Sequence, residues 1–117
     1  MALLWKFTGN QPVYLQIMEQ IRGAILAGEY PPGGRIPPVR DLAAQAQVNP
    51  NTMQRALAQL EEEGLLYARG TVGRFVSSDP TAISAAKEKM RKKTVRKWIR
   101  EAAALELSVD EMISYIQ

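Results

Sequence analysis

Apolar side chains recur at every fourth position near the start of the chain. Four residues share this spacing: Val13, Ile17, Ile21 and Ile25. A repeat of four places them on one face of an α-helix. Pro12 stands before the stripe and Gly28 after it, and these residue types are common at the start and just beyond the end of helices. The pattern predicts an amphipathic first helix with one buried face.

Two shorter helical patterns follow a stiff loop rich in proline and glycine. The second helix is predicted by the apolar residues Val39, Leu42, Ala43 and Ala46. The third begins at Asn49, a good N-cap, and has Pro50 at its first helical position, where a missing N–H costs nothing. Gly64 ends it. Its buried positions are Met53, Leu57 and Leu60, with mainly polar residues between them.

A short hairpin is predicted directly after the third helix. Two brief strands, residues 65–68 and 74–76, are separated by a turn that begins and ends with glycine, Gly70 and Gly73. Three helices followed by such a hairpin form the outline of a winged helix-turn-helix. We therefore predict a mainly α fold with a small β-hairpin, and assign residues 1–78 to a winged helix-turn-helix DNA-binding domain.

Residues 79–117 predict a two-helix tail. Its first helix runs to about Leu105, and its second begins at Ser108, whose partner Glu111 completes a capping box. Two short amphipathic helices have too little mass to fold alone. Dimerisation through the tail is the economical explanation, and the candidate interface residues are Met90, Trp98, Ile99, Leu105, Met112, Ile113 and Ile116.

Charge does not by itself point to nucleic acid. The net charge is +3, but residues 1–80 hold seven basic and seven acidic side chains, so the excess lies in the tail. The tail segment 87–100 carries eight basic residues and one acid; it is either a solvated helix face or a supplementary contact with flanking phosphates or an acidic partner. For the first domain, the case for DNA binding rests on the positions of its arginines, because they fall where a winged helix meets a phosphate backbone.

Composition argues against several other classes. The 117 residues include no cysteine and no histidine, which excludes disulfides and thiolate metal sites and removes the commonest metal ligand and general base. Neither a phosphate-binding glycine loop nor a nucleophile–base set is present. We predict a protein that is not an enzyme and has no metal or cofactor. The short apolar patch at the start is too brief for a signal peptide or membrane span, so a cytoplasmic location is expected.

The segment PVYLQIMEQIRGAILAGEYPPGGRIPPVRDLAAQAQVNPNTMQRALAQLEEEGLLYARGTVGRFV, residues 12–76, resembles the DNA-binding domain of the GntR family of bacterial transcription regulators. The resemblance includes the loop before the second helix, the RDLA start, the LEEEGLL junction and a wing ending in FV. VNPNTMQRAL is similar to the YtrA subfamily, in which a short two-helix dimerisation tail replaces the large effector domain.

This resemblance implies particular DNA-binding residues. Arg40 corresponds to the family arginine at the start of the second helix that contacts the operator. Asn49, Asn51, Thr52 and Arg55 belong to the recognition helix, although Asn49 is first of all a cap. Arg69, Thr71 and Gly73 match the wing that approaches the minor groove.

Three positions depart from the family pattern. Pro50 replaces an arginine that contacts a base in many members, as in YtrA-like members generally. Pro38 replaces a serine whose hydroxyl would cap the second helix. Gln47 replaces the glycine of the turn, so a non-glycine residue is expected to adopt a left-handed conformation there.

The leading hypothesis is a homodimeric, sequence-specific repressor bound to a roughly palindromic double-stranded DNA operator. Two alternatives remain open. One is a protein-interaction module that uses the winged helix to bind another protein. The other is a sensor whose small-molecule effector sits in the dimer crevice beside Trp98 or Trp5.

Overall fold

The structure, a computed structural model, describes residues 4–117. Its elements in chain order are α1 (Val13–Leu26), α2 (Val39–Ala46), α3 (Pro50–Glu62), β1 (Leu66–Arg69), β2 (Gly73–Val76), α4 (Pro80–Ala104) and α5 (Val109–Ile116). This order confirms the predicted mainly helical fold with one hairpin after the third helix. The chain forms two compact units, one ending at Ile83 and the other covering Ser84–Gln117. The boundary predicted after residue 78 stays a prediction.

The core of the first unit is assembled from the apolar stripes of its three helices and closed by the hairpin. Its most deeply buried side chains are Ile17, Ile21, Ile36, Leu42, Met53, Leu57, Leu60, Leu65 and Val76. Each such aliphatic side chain contributes roughly 1.5–3 kcal/mol by leaving water. Because the stripe of α3 is buried against α1 and α2, its opposite face is left in solvent.

The turn between α2 and α3 has a defined hydrogen-bonded geometry. Gln47 ends α2 with φ 57° and ψ 46°, the left-handed conformation expected from its place in the motif. The N–H of Val48 donates to the carbonyl of Ala43 at 3.0 Å and closes the helix end. At the next residue, the side-chain oxygen of Asn49 accepts the N–H of Asn51 at 2.7 Å, which confirms Asn49 as the N-cap of α3. The helix-turn-helix is thus fixed by local bonds on both sides of the turn.

The hairpin, called the wing here (residues 66–76), pairs β1 and β2 antiparallel, with Leu66 opposite Val76 and Arg69 opposite Gly73. Its turn is Gly70–Val72, so Gly73 belongs to β2 and not to the turn as predicted.

Residues 33–36 form a third extended segment that pairs with β2, a pairing that the sequence did not predict. Arg35 forms an antiparallel bridge to Phe75, and the N–H of Ile36 donates to the carbonyl of Arg74 at 3.0 Å. The first two residues of this segment are the glycines of the Pro-Pro-Gly-Gly loop, so the stretch lacks the alternation of apolar and polar residues that indicates a strand. The segment ties the wing to the residues that lead into α2.

The residues before α1 follow that helix as an extended arm, held by two glutamine side chains. Gln20 accepts from the N–H of Lys6 and donates to its carbonyl, and Gln16 makes the same pair of bonds to Thr8. Gln16 is buried, so these bonds also satisfy a polar group that would otherwise be costly to bury.

The second unit comprises most of α4 and all of α5. Ser108 caps α5, and its capping box with Glu111 is formed as predicted. Glu106 takes a left-handed φ of 59° in the turn between the two helices, a conformation that nothing in the sequence signalled. No helix within residues 4–117 is both long and apolar enough to cross a membrane.

The left-handed Gln47 generates a stability prediction. Gln47→Gly is expected to raise the free energy of unfolding by about 1 kcal/mol, because glycine adopts this conformation without the Cβ penalty. Chemical denaturation monitored by circular dichroism measures the change.

Gln45→Gly is the matched control, since Gln45 is exposed within helix α2. There the same substitution should lower stability by about 1 kcal/mol. Equal effects at the two positions would contradict the assigned conformation.

Candidate nucleic-acid interface

The exposed face of α3 begins at its N-cap. The side-chain oxygen of Asn49 accepts the capping hydrogen bond, and the N–H groups of its amide remain available as donors. Asn51 is exposed in the first turn, and Thr52 beside it is half-buried. Pro50 at the first helical position removes an N–H that has no helical partner. The N-terminal end of α3 therefore presents small polar groups.

Arg55 is exposed on the next turn, and its guanidinium is held by α1. The carbon at the centre of that group lies 3.6 Å from the ring centroid of Tyr14. Such a cation–π contact limits the rotamers of the arginine while leaving its N–H donors free. Sequence reasoning missed Tyr14, because the contact joins two helices and no spacing within either one signals it.

Gln54 also belongs to this surface. It is exposed and follows Asn51 by three positions, so the two side chains share a face of α3. The helical spacing was a signal available in the sequence, yet Gln54 was not among the predicted site residues.

Arg40 lies exposed in the first turn of α2. Within residues 4–117 it makes no ion pair. Its neighbour Val39 lines one side of a groove whose other side is formed by wing residues that include Thr71 and Gly73. The start of α2 and the wing are thus brought together.

The wing presents Arg69 and Thr71. The guanidinium carbon of Arg69 lies 5.1 Å from the ring of Phe75, which in turn stacks on Tyr67 with ring centroids 5.7 Å apart. Thr71 is exposed at the tip. Gly73 adopts φ 136°, a conformation that favours glycine.

The predicted dimerisation residues lie in the second unit, and most of them face solvent in the single chain. Trp98 is 59% exposed, Leu105 74% and Ile116 82%, and Ile99 and Ile113 are exposed as well. Met90 and Met112 are half-buried. An apolar surface of this kind is typical of a protein interface.

Three helices, a left-handed turn and a paired wing define this protein as a winged helix-turn-helix. The family model for the bacterial regulatory proteins of the GntR family matches residues 13–76. The chain belongs to the GntR family, and it is a DNA-binding transcriptional regulator of the helix-turn-helix type. Because the members are regulators, the prediction that the chain is not an enzyme is confirmed.

Relatives and solved structures agree with this assignment. The repressor YtrA of Bacillus subtilis is 30% identical over 92% of this chain and 84% of its own length. A GntR family regulator from Listeria monocytogenes matches with a TM-score of 0.85 and 31% identity, covering 94% of this chain and 96% of its own. The DNA-binding domain of AraR in complex with operator ORX1 matches with a TM-score of 0.60 and 32% identity, covering 66% and 99% respectively. Together they confirm the YtrA-type assignment and the winged helix-turn-helix fold.

The contact between Tyr14 and Arg55 can be tested by a double-mutant cycle. Tyr14→Leu and Arg55→Ala are expected to show a coupling of about 0.5–1 kcal/mol in the free energy of unfolding, the size of an exposed cation–π pair. Thermal or urea unfolding of the two single variants and the double variant gives the value.

A cycle of Tyr14→Leu with Gln54→Ala serves as the comparison, because Gln54 is the neighbouring exposed residue on α3 and, among the described residues, the cation over the Tyr14 ring is Arg55. It should give a coupling near zero. Coupling of similar size in both cycles would mean that Tyr14 acts through general packing.

Proposed function

We propose that the protein is a sequence-specific repressor that binds a two-fold symmetric operator as a homodimer. The observation that carries the proposal is the exposed N-terminal half of α3, a surface of amides and one guanidinium oriented by Tyr14. An α-helix of this kind fits the major groove, where each base pair presents a distinct pattern of donors and acceptors.

Each exposed group on α3 has a matching chemistry on DNA. The amides of Asn51 and Gln54 suit the paired donor and acceptor of adenine, and the guanidinium of Arg55 suits the two acceptors of guanine. Thr52 and the amide of Asn49 are close enough to the helix start to contact phosphate. Arg40, Arg69, Thr71 and Gly73 supply the flanking contacts from α2 and the wing.

Dimerisation is proposed to occur through the second unit, with a second copy of this chain as the partner. On α4 the residues Val95, Trp98, Ile99 and Ala102 follow the spacing of one helix face. On α5 the exposed apolar residues Val109, Ile113 and Ile116 do the same. Trp98 is the largest of these side chains, and large aromatic residues commonly anchor interfaces. The assignment of a two-helix dimerisation tail to YtrA-like members supports the same partner.

Two recognition helices related by a two-fold axis would enter successive major grooves. Half-sites about one helical turn apart, ~10 bp or a multiple, are then expected. Occupancy of such an operator would repress transcription by excluding RNA polymerase, in keeping with the repressor YtrA among the relatives. A regulator of the chromosome acts in the bacterial cytoplasm, and we place the protein there.

Selection of bound sequences from a random duplex pool tests this function. We expect a two-fold symmetric consensus, because each subunit would read one half-site with the same side chains. On that consensus Arg40→Ala and Arg55→Ala should each weaken binding by about 1–3 kcal/mol if they contact bases. Fluorescence anisotropy with a labelled duplex measures the loss.

Lys6→Ala is the matched control that removes one positive charge from the arm, whose backbone at Lys6 is bonded to Gln20 of α1. It should leave operator affinity close to that of the wild type. Arg40→Ala and Arg55→Ala variants that bind operator and random DNA like the wild type would overturn the proposed interface.

The dimer has its own prediction. Ile113→Glu combined with Trp98→Ala is expected to convert the protein to a monomer in sedimentation equilibrium, since a charge enters the apolar face and its largest side chain is removed. The monomer should also bind the two-half-site operator at least 10-fold more weakly, because one half-site supplies half of the contacts.

Lys97→Ala, next to Trp98 but on the polar side of α4, is the control and should remain dimeric. A dimer that persists in the double variant would place the interface elsewhere.

A further inference from the structure

A groove of about 290 Å³ separates the wing from the segment that leads into α2. Residues 35–39 line one side, and residues 68 and 70–74 line the other. These lining residues include two arginines and no carboxylate. The groove is therefore a place where an anion would meet positive charge without an acidic neighbour in the walls.

The two arginines of the groove differ in their partners. The Nε of Arg74 donates to the carboxylate of Glu61, so the charge of Arg74 is already neutralised within the fold. Arg35 is exposed and makes no ion pair with any residue in the described range 4–117. Of the two, Arg35 alone has a charge available to a ligand.

The backbone of the wing determines where Arg35 lies. Its bridge to Phe75 and the hydrogen bond from Ile36 to Arg74 fix the Arg35 backbone beside β2. Its side chain then lies across Gly73: a Cβ at that position would be 2.9 Å from the Nε of Arg35 and 3.5 Å from one terminal nitrogen. Any other residue at position 73 would displace the guanidinium. A glycine is thus favoured at position 73 for two reasons: the backbone has a positive φ, and the Arg35 side chain occupies the space that a Cβ would need.

We propose that Arg35 binds a phosphodiester of the DNA backbone beside the wing, with the exposed hydroxyl of Thr71 as a second donor in the same groove. This inference rests on the proposed DNA-binding function and adds a contact to it. A guanidinium presents a planar pair of N–H donors that matches two phosphate oxygens. The Arg35 backbone pairs with Phe75, and its guanidinium lies over the backbone of β2 at Gly73. We assign it to the DNA backbone and not to a base edge.

The test compares Arg35→Gln with the wild type on two duplexes, the selected operator and a random sequence. We expect Arg35→Gln to weaken binding to both by the same factor, roughly 3- to 10-fold at physiological salt. The slope of log K against log salt should fall in magnitude by about 0.9, the value for one lost phosphate contact. Arg35→Lys keeps the charge and should recover most of the slope.

Gly73→Ala is the second variant, because its methyl group would displace Arg35 without removing it. Its salt slope should fall as in Arg35→Gln, with thermal unfolding used to confirm that the variant is folded. Lys6→Gln removes one charge on the arm beside α1 and should leave the slope unchanged.

Three results would overturn the proposal. If the salt slope is unchanged in Arg35→Gln while Arg40→Ala weakens operator binding, the Arg35 contact is overturned and the DNA-binding function is not. A loss confined to the operator would assign Arg35 to base reading instead of phosphate binding. Wild-type protein that binds neither duplex would overturn the DNA-binding function itself, and this contact with it.

Discussion

The packing of α3 along α1 is the constraint on which the rest of the first unit depends. The two helices are joined at two points outside the core: Tyr14 with Arg55, and Arg22 with Glu63, whose closest nitrogen–oxygen distance is 2.7 Å. The members of each pair are displaced by eight residues along both helices, so α1 and α3 run in the same direction over about 12 Å. Between these points the apolar stripes of both helices are buried. This arrangement sets which face of α3 is exposed.

From α3 the constraint extends to the wing. Gly64 turns the chain out of the helix in a left-handed conformation, and Leu65 and Leu66 bury the start of the hairpin in the core. The salt bridge of Arg74 to Glu61 then ties β2 to the last turn of α3. Residues 33–36 pair with the far side of β2. The wing is therefore held from both sides, and its position relative to α3 follows from the same core.

Local chemistry explains which features of the fold could be predicted. The N-cap at Asn49 and the capping box at Ser108 each depend on residues a few positions apart, so residue types alone indicate them. The left-handed Gln47 is expected from the family resemblance, because family members have a glycine at that position. Contacts between segments that are distant in the chain have no comparable signal in the local sequence. Three contacts join residues from separate elements. They are the pairing of Arg35 with Phe75, the contact of Tyr14 with Arg55, and the position of the Arg35 side chain over Gly73. They became visible only when the fold brought those elements together.

Contacts between distant segments also determine which charges of the neutral first domain are exposed to a partner. Acids and bases are equal in number over residues 1–80, and internal pairing removes equal numbers of each, so what pairing changes is where the unpaired arginines lie. Glu61 and Glu63, at the C-terminal end of α3, are paired with Arg74 and Arg22. Within the described residues 4–80, four other arginines make no ion pair: Arg35, Arg40, Arg55 and Arg69.

Internal pairing thus removes two arginines together with two acids and leaves the remaining guanidiniums on α2, α3, the wing and the segment 33–36 beside the wing. A count of charges cannot reveal this, because it treats a charge bonded within the fold and a charge in solvent alike. Long-range attraction of such a domain for DNA would be modest, since the net charge is what acts at a distance. Affinity then depends on short-range contacts in the docked geometry, which suits discrimination between sequences better than general attachment to phosphate.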